Sequence, residues 1–473
     1  MLSDDPHYRP STAHSDLGDL FADSVAPAVF PDHILRYRNQ AAAQTVGLGT
    51  LSAEAWLESF GMLRPLPGSL SAPLALRYHG HQFQHYNPDL GDGRGFLFAQ
   101  LHERDTNRLL DLGTKGSGTT PYSRGGDGRL TLQGGVREVL AAEHLQARGV
   151  PTCRILSVIE TGEALYRYDE PSPTRSCVMV RLSHSHIRIG TFQRLAYHRQ
   201  PKALEQLVAH VLTHYYPEAA TEPEPATALM HRVVEQTAQT AAAWMAAGFV
   251  HGVLNTDNIN ITGESFDYGP WRFAVDLDPT FTAAYFDESG LYAYGQQSEA
   301  IHWNLKRLAL ALSPIGSAEG LGDAVARFPA VYLRALTRAW LRRMGLVEES
   351  ELRDRSFVHR LTRTLADTRL PVDRFVYDWH GGPSATDRAL SGPLGALYRR
   401  RWFRPLREAL ESRTPHPSAA AWVAAAPGPV SLHIDEVRAL WSSIADHEDW
   451  VPFENKIRTI RARGLSARPP HSA

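Results

Sequence analysis

Residues 251–258 read His-Gly-Val-Leu-Asn-Thr-Asp-Asn, and a second acidic run, Asp267-Tyr268-Gly269, begins nine residues after Asn258. An amide and a carboxylate at that separation, across a short strand pair, can converge on one magnesium ion. Magnesium takes hard oxygen ligands and leaves its other positions to phosphate and water. Asn and Asp also build turns, and Asp267-Tyr268-Gly269-Pro270 suits one. Lys115 closes a strand-like run, and Glu138 falls in the helical pattern that follows. That order aims an ammonium at phosphates; the plainer alternative is a surface ion pair of small worth. Leu90-Gly91-Asp92-Gly93-Arg94-Gly95 can bring backbone N–H groups and a guanidinium to phosphate oxygens, or can simply make a hairpin turn. Gly126-Asp127-Gly128-Arg129, Arg181 and Arg188 add donors that can clamp a triphosphate, although each arginine alone reads as solvated. Gly113-Thr114-Lys115-Gly116 lacks Walker A spacing. Together these residues suit phosphoryl or nucleotidyl transfer, which needs cations, a metal and backbone donors more than covalent help. The pairs His79/His81 and His184/His186 have no further ligand at zinc spacing and read as structural.

The elements that must position these groups change character along the chain. Residues 1–73 form an extension broken by Pro10, Pro27, Pro31, Pro65 and Pro67, with short helices expected at 41–44 and 53–60. Residues 74–190 are mostly strand-like. Runs 96–101 and 109–112 flank the polar turn 104–107 as a hairpin. A Gly-rich loop, 116–128, leads into a helix expected at 136–148, stopped by Gly149 and Pro151. Further strands are expected at 164–168 and 177–182. From 191 to 473 the pattern is helical, with segments 201–214, 226–247, 299–312, 329–344 and 349–366, interrupted by short strands within 259–286. The basic and then Pro- and Ser-rich tail after 455 reads as a frayed terminus.

Composition bounds the rest. The chain has 473 residues, 43% of them hydrophobic, enough for a sizeable core and a bilobal enzyme. A net charge of −2, from 49 basic and 51 acidic residues, gives no pull toward nucleic acid or an anionic membrane. Cys153 and Cys177 are the only cysteines, so a disulfide framework is excluded and a reducing, cytoplasmic setting is expected. The N-terminus resembles neither a signal nor a transit peptide. Residues 236–256 lack Asp, Glu, Lys and Arg, but Gln236, Gln239, His251 and Asn255 interrupt them, so a buried helix is expected there and no membrane span.

The 251–258 run resembles the catalytic loop H-G-D-L-x-x-x-N of small-molecule kinases of the aminoglycoside phosphotransferase type. Val253 stands where such kinases carry the Asp that accepts a hydroxyl proton, which a valine cannot do. Longer blocks point further: G-H-Q-F (80–83), L-G-D-G-R (90–94), K-G-S-G-T-T-P-Y-S-R-G-G-D-G-R (115–129), R-L-S-H-S-H-I-R-I-G (181–190), D-Y-G-P (267–270) and W-N-L (303–305). With these the chain resembles the selenoprotein O family, also called the YdiU family, of protein adenylyltransferases, from about residue 78 to 312.

The resemblance implies an α+β, protein-kinase-like bilobal fold with a small β-rich N-lobe (74–190), a larger helical C-lobe (191–473) and the N-terminal extension (1–73). It implies ATP bound in reversed orientation and AMP transferred to Ser, Thr or Tyr hydroxyls of acceptor proteins. By motif, Gly91, Gly93, Arg94, Lys115, Asp127, Gly128, Arg181, Arg188 and Asp267 would bind the nucleotide. Asn258 and Asp267 would hold Mg2+, with Mn2+ as an alternative, and Asp257 would accept the proton that Val253 cannot. A kinase-like phosphotransferase and a non-catalytic nucleotide-binding scaffold are the alternatives. The chain departs from the family pattern at Ser298, Gln84 and Gly134-Gly135, and it has no thiol after Cys177, so disulfide control is not expected.

Overall fold

The structure, a computed structural model, describes residues 5–168 and 170–466. It is mixed α and β, with a β-sheet lobe and a helical region. The strands are β1 (Pro10–Ser11), β2 (Ala22–Ser24), β3 (Ile34–Arg38), β4 (Leu74–Leu76), β5 (Gly80–Gln82), β6 (His85–Asn87), β7 (Leu97–His102), β8 (Leu109–Lys115), β9 (Leu130–Thr131), β10 (Arg154–Leu165), β11 (Thr174–Ser183), β12 (Phe249–Val250) and β13 (Arg272–Phe273). The main sheet runs β2-β4-β7-β8-β11-β10-β3, with β1 on β7 and β9 on β11. Three strands from the first 38 residues therefore belong to it. Helices α1 (Gln40–Gln44) and α2 (Ala53–Phe60) follow β3, and α3 (Leu132–Ala147) follows β9.

The central strands are apolar at nearly every position because both faces are covered, and the period of two divides their side chains between two cores. Ile155, Val158, Cys177 and Met179 pack with α3. Leu156, Ile159, Val178, Val180 and Leu182 pack on the other face with Trp56 and Phe60 of α2.

The helical region holds α4 (Ile189–Tyr197), α5 (Pro201–Tyr215), α6 (Pro225–Ala247), α7 (Gln297–Leu312), α8 (Ala318–Ala326), α9 (Phe328–Arg343), α10 (Glu351–Thr368) and α11 (Val372–Trp379). It continues with α12 (Thr386–Ser391), α13 (Gly395–Tyr398), α14 (Arg404–Glu411), α15 (Ala419–Ala424), α16 (Ile434–His447) and α17 (Val451–Ser466). Among the described residues no helix is long and apolar enough to cross a membrane. The uncharged stretch after 236 is the buried end of α6 and the loop beyond it.

Four expectations need correction. The helix expected from 136 starts a turn earlier, because Thr131 caps it by accepting from Gly134 N. Of the strand expected at 164–168 only 164–165 form, as the far end of β10, which begins at Arg154. Within 259–286 only β13 forms, paired with β12; isolated bridges Arg188–Asn260 and Thr152–Ser265 hold the rest. Residues 455–466 are not frayed: α17 packs on α3, burying Phe453, Ile457 and Ile460, and Arg461 donates to Glu143 Oε2 at 2.8 Å and to the Tyr37 hydroxyl at 2.7 Å. The Pro- and Ser-rich end beyond 466 lies outside the described residues.

Asp373 at the start of α11 fastens this arrangement. Its Oδ1 accepts from Arg148 and from Arg343, each at 2.7 Å, and all three side chains are largely buried. Burial alone would raise the Asp373 carboxyl; the two guanidiniums outweigh it and hold it below the usual carboxylate range. Asp373→Ala strands two buried cations and is expected to cost about 3–5 kcal/mol in urea unfolding. A carboxyl depressed in the folded state stabilises above its unfolded pKa and stops doing so as pH falls through its folded value. Wild-type stability should therefore drop below about pH 4, and Asp373→Ala should flatten that part of the profile. An unchanged acid limb in the variant would contradict the assignment.

Candidate active site

The pleat of two paired strands places the first charges. In the β8–β11 ladder Lys115 lies opposite Met179 and Gly113 opposite Arg181, so Lys115 and Arg181 project from the same face two residues apart. Gly113 must lack a side chain, since an added Cβ would stand 2.1 Å from the His186 ring. Lys115 Nζ makes a short ion pair with Glu138 of α3 and a second, at 2.6 Å, with Asp267 Oδ1. Arg181 reaches the same oxygen at 3.3 Å. Burial alone would raise the Asp267 carboxyl, but Lys115, Arg181 and Arg188 hold it well below the usual range, so it is ionised. Asp267 sits at a φ of 61°, a left-handed conformation uncommon outside glycine and found where surrounding structure over-determines it.

Arg188, at the N-terminus of α4, is buried. It donates to Asp92 Oδ1 (3.0 Å), the Tyr78 hydroxyl (3.0 Å) and the Asp257 carbonyl (3.2 Å). Asp92 in turn accepts from Leu76 N at 3.1 Å. The Gly91–Gly95 segment is thereby tied to α4 and to the loop at 257, and it lines the cleft instead of joining two paired strands. The Gly-rich loop folds over it: Thr120 Oγ1 donates to Asp92 O and Ser123 Oγ to Gly93 O, both at 2.5 Å. A Cβ on Gly91 would stand 2.3 Å from the Tyr122 ring, whose hydroxyl is itself bound to Asp23.

The 251–258 run is a loop hung on side chains from neighbouring helices. Gln297 accepts from His251 N at 3.0 Å and donates to Phe249 O at 2.8 Å. Asn304 donates to Leu254 O, Gln193 accepts from the Thr256 hydroxyl, and Asn255 Oδ1 accepts from Tyr292. Asp257 is 7% exposed, and its Oδ1 has no hydrogen-bond partner. Burial pushes its carboxyl up to about 6, with Arg188 opposing. Gly80 makes room for it, since a Cβ there would lie 2.8 Å from Asp257 Oδ1. Asn258 Nδ2 donates back to Val253 O at 3.0 Å, which leaves the amide oxygen as the group available to a cation.

These elements enclose a cleft of about 550 Å3. Gly91, Gly93, Arg94, Lys115, Asp127, Gly128, Arg181, Arg188, Asp257 and Asp267 all line it. Asn258 does not. Asp127 is exposed and paired with Arg167 at 2.8 Å. Among the lining residues to which the sequence assigned no role are Tyr78, Asp92 and Arg124. Asp92 stands between the two glycines of a phosphate-loop candidate, a signal open to reading. Arg124 lies in the Gly-rich loop and, like Arg94, is exposed and makes no ion pair among the described residues. Nothing local marks Tyr78.

No group of three or more His, Cys, Asp or Glu side chains among the described residues suits a metal ion. A magnesium ion shared with phosphates needs fewer protein ligands than that. The ionised Asp267 and the free amide oxygen of Asn258 are hard donors of the right kind.

Over residues 7–461 the chain matches the family model described as Protein adenylyltransferase SelO. It is 42% identical over 480 residues to the Protein nucleotidyltransferase YdiU of Synechocystis sp., covering 96% of this chain and 98% of that one. It is 43% identical over 483 residues to the protein of the same name from Synechococcus elongatus, covering 97% and 96%, and 38% identical over 371 residues to that of Azotobacter vinelandii, covering 78% and 75%. The cleft thus belongs to a nucleotidyltransferase. The chain is a member of the SelO family of protein adenylyltransferases.

Packing of the Gly-rich loop on Gly91 generates a test. Gly91→Ala should displace Tyr122 at a cost of about 1–3 kcal/mol and weaken nucleotide binding about tenfold or more by calorimetry. Adding Tyr122→Ala should recover the folding loss. If Gly91→Ala binds nucleotide as wild type, the loop does not close over this glycine.

Proposed function

We propose that this protein transfers AMP from ATP to Ser, Thr or Tyr hydroxyls of other proteins, on a bilobal, kinase-like scaffold whose kinase base is missing. The observation that carries the reading is Asp257: a buried carboxylate with an unpartnered oxygen, in the same cleft as the Lys115–Asp267–Arg181 cluster. Val253, four residues earlier in the loop, has no group that takes a proton.

In this reading Gly91, Gly93, Arg94, Asp127 and Gly128 hold the phosphate chain by backbone donors and a guanidinium, and Lys115, Arg181 and Arg188 neutralise it. The acceptor oxygen forms a bond to the α-phosphorus. The bond from that phosphorus to the β-bridging oxygen breaks, and pyrophosphate leaves. The hydroxyl proton goes to the Asp257 carboxylate, whose buried setting raises its basicity toward that task. Mg2+, held by Asn258 and Asp267, would supply Lewis-acid stabilisation of phosphate charge when bound. Glu138 takes no part in the chemistry and positions Lys115. Two buried thiols and no further cysteine fit work in the reducing cytoplasm.

ATP labelled at the α or the γ position separates this from a phosphotransferase. Label on protein hydroxyls from α-labelled ATP alone is the expected result; label from the γ position alone overturns the reading, and label from neither leaves a binding scaffold. Asp257→Asn should slow transfer about 10²–10⁴-fold while nucleotide affinity stays within about twofold.

A further inference from the structure

A second cavity, of about 330 Å3 and open to the surface, lies where the C-terminal end of α3 meets α9, α11 and α17. It shares no lining residue with the nucleotide cleft. Its size falls at the small end of the range usual for organic ligands. Its walls are apolar at Val376, Val430 and Ile460, and otherwise strongly basic: Arg148, Arg342, Arg343 and Arg463 face a single carboxylate, Asp373.

Three of these guanidiniums are spoken for. Arg148 and Arg343 share Asp373 and donate to the carbonyls of Ala247 and Ala246 at the end of α6. Arg463 donates to Gly428 O at 2.6 Å and lies 4.0 Å over the Trp422 ring. None of those carbonyls carries a charge, so three positive charges remain without counterions in the walls. Burial lowers Arg343 and Arg463 to about 10, as expected of cations short of neutralising partners. Arg342 is exposed at the rim, and its side chain makes neither a hydrogen bond nor an ion pair among the described residues.

The second observation is His144. It lines the cavity, is 2% exposed, and neither of its ring nitrogens has a partner. A buried polar group left unmet costs about 1–3 kcal/mol. Its neighbours Arg148, Arg343 and Lys456 are all cationic and join burial in keeping the imidazole neutral. A neutral imidazole has one N–H to give and one nitrogen to receive, and the side chains around the cavity give it neither.

We infer that this cavity is a ligand site for a small organic anion, a carboxylate on a compact apolar body, with the carboxylate at Arg342 and His144 and the body against Val376, Val430 and Ile460. The anion supplies the missing negative charge, and one of its oxygens accepts from the imidazole.

Phenylacetate and its neutral isostere phenylacetamide are suitable probes, titrated calorimetrically into the full-length protein. Saturable one-to-one binding of phenylacetate is expected, with the amide about tenfold weaker, the worth of one charge-assisted contact. Arg342→Ala changes an exposed, unpaired side chain, leaves the fold intact, and should weaken phenylacetate about tenfold. His144→Phe should weaken it comparably, while Arg94→Ala, in the nucleotide cleft, should leave it unchanged. Equal binding of the amide, full affinity in Arg342→Ala, loss of binding in Arg94→Ala instead, or no saturable binding in the millimolar range would each overturn the site. None of these readouts involves nucleotide chemistry, so failure here is separate from failure of adenylyl transfer.

Discussion

Lys115, Glu138 and Asp267 come from three parts of the chain, and none of them could sit where it does without the others. Lys115 is on a central strand, Glu138 on the helix behind the sheet, and Asp267 on the loop between β12 and β13 in the helical region. Lys115 and Glu138 are both more than nine-tenths buried. An unpaired charge there would cost several kcal/mol. The cluster therefore fixes the distance between sheet, α3 and the 267 loop, and with it the width of the cleft. A buried ion pair is a poor way to gain stability and a good way to specify one arrangement, and here the arrangement is what chemistry on phosphates needs.

Charge balance then explains which residues are left for a ligand. Lys115, Arg181 and Arg188 are answered by Glu138, Asp267 and Asp92 inside the protein. Arg129 and Arg167 are answered by Glu163 and Asp127. Arg94 and Arg124 remain, one on each Gly-rich segment. A phosphate chain entering between those segments meets two unanswered guanidiniums at the rim and a preorganised cation cluster at the base. Preorganisation of this kind is where electrostatic catalysis of phosphate chemistry gains most, because the dipoles and charges do not have to turn during the reaction.

Much of this was legible in the sequence, and the failures have physical causes. The Lys115 strand and its hairpin partner show a run of apolar residues interrupted by an obvious turn. The glycines at 91 and 93 are needed because other groups come too close for a side chain. Strand β10 was read only at its end because Gly162, at a φ of 75°, bulges the strand between Glu160 and Ala164 and mimics a break. Gly134-Gly135 looks like a helix stop, yet α3 runs through it; a Cβ on Gly135 would stand 2.7 Å from Cys177 Sγ, so the helix needs a glycine to approach β11. The basic run in α17 reads from the sequence as part of a frayed terminus. Its arginines instead bond Glu143 and lie over Trp422, partners more than forty residues away. Tyr78 touches Arg188 across 110 residues, a contact no local pattern announces.

The same logic accounts for where the candidate base sits. At position 253 the loop presents a backbone carbonyl to Asn258, and the side chain there is only a spacer. Four residues on, the short turn Thr256–Asn258 brings Asp257 against Gly80 and places its carbonyl on Arg188. A carboxylate at 257 is thus tied through its own backbone to Arg188, which lines the cleft, whereas the carbonyl at 253 is held by Asn258. In the proposed reaction, a base tied to Arg188 keeps its relation to the phosphate chain even if the 251–258 loop shifts. In the proposed reaction, moving the carboxylate along the loop, without changing the loop's anchors at His251 and Asn258, therefore changes which phosphorus the base serves while the fold stays the same.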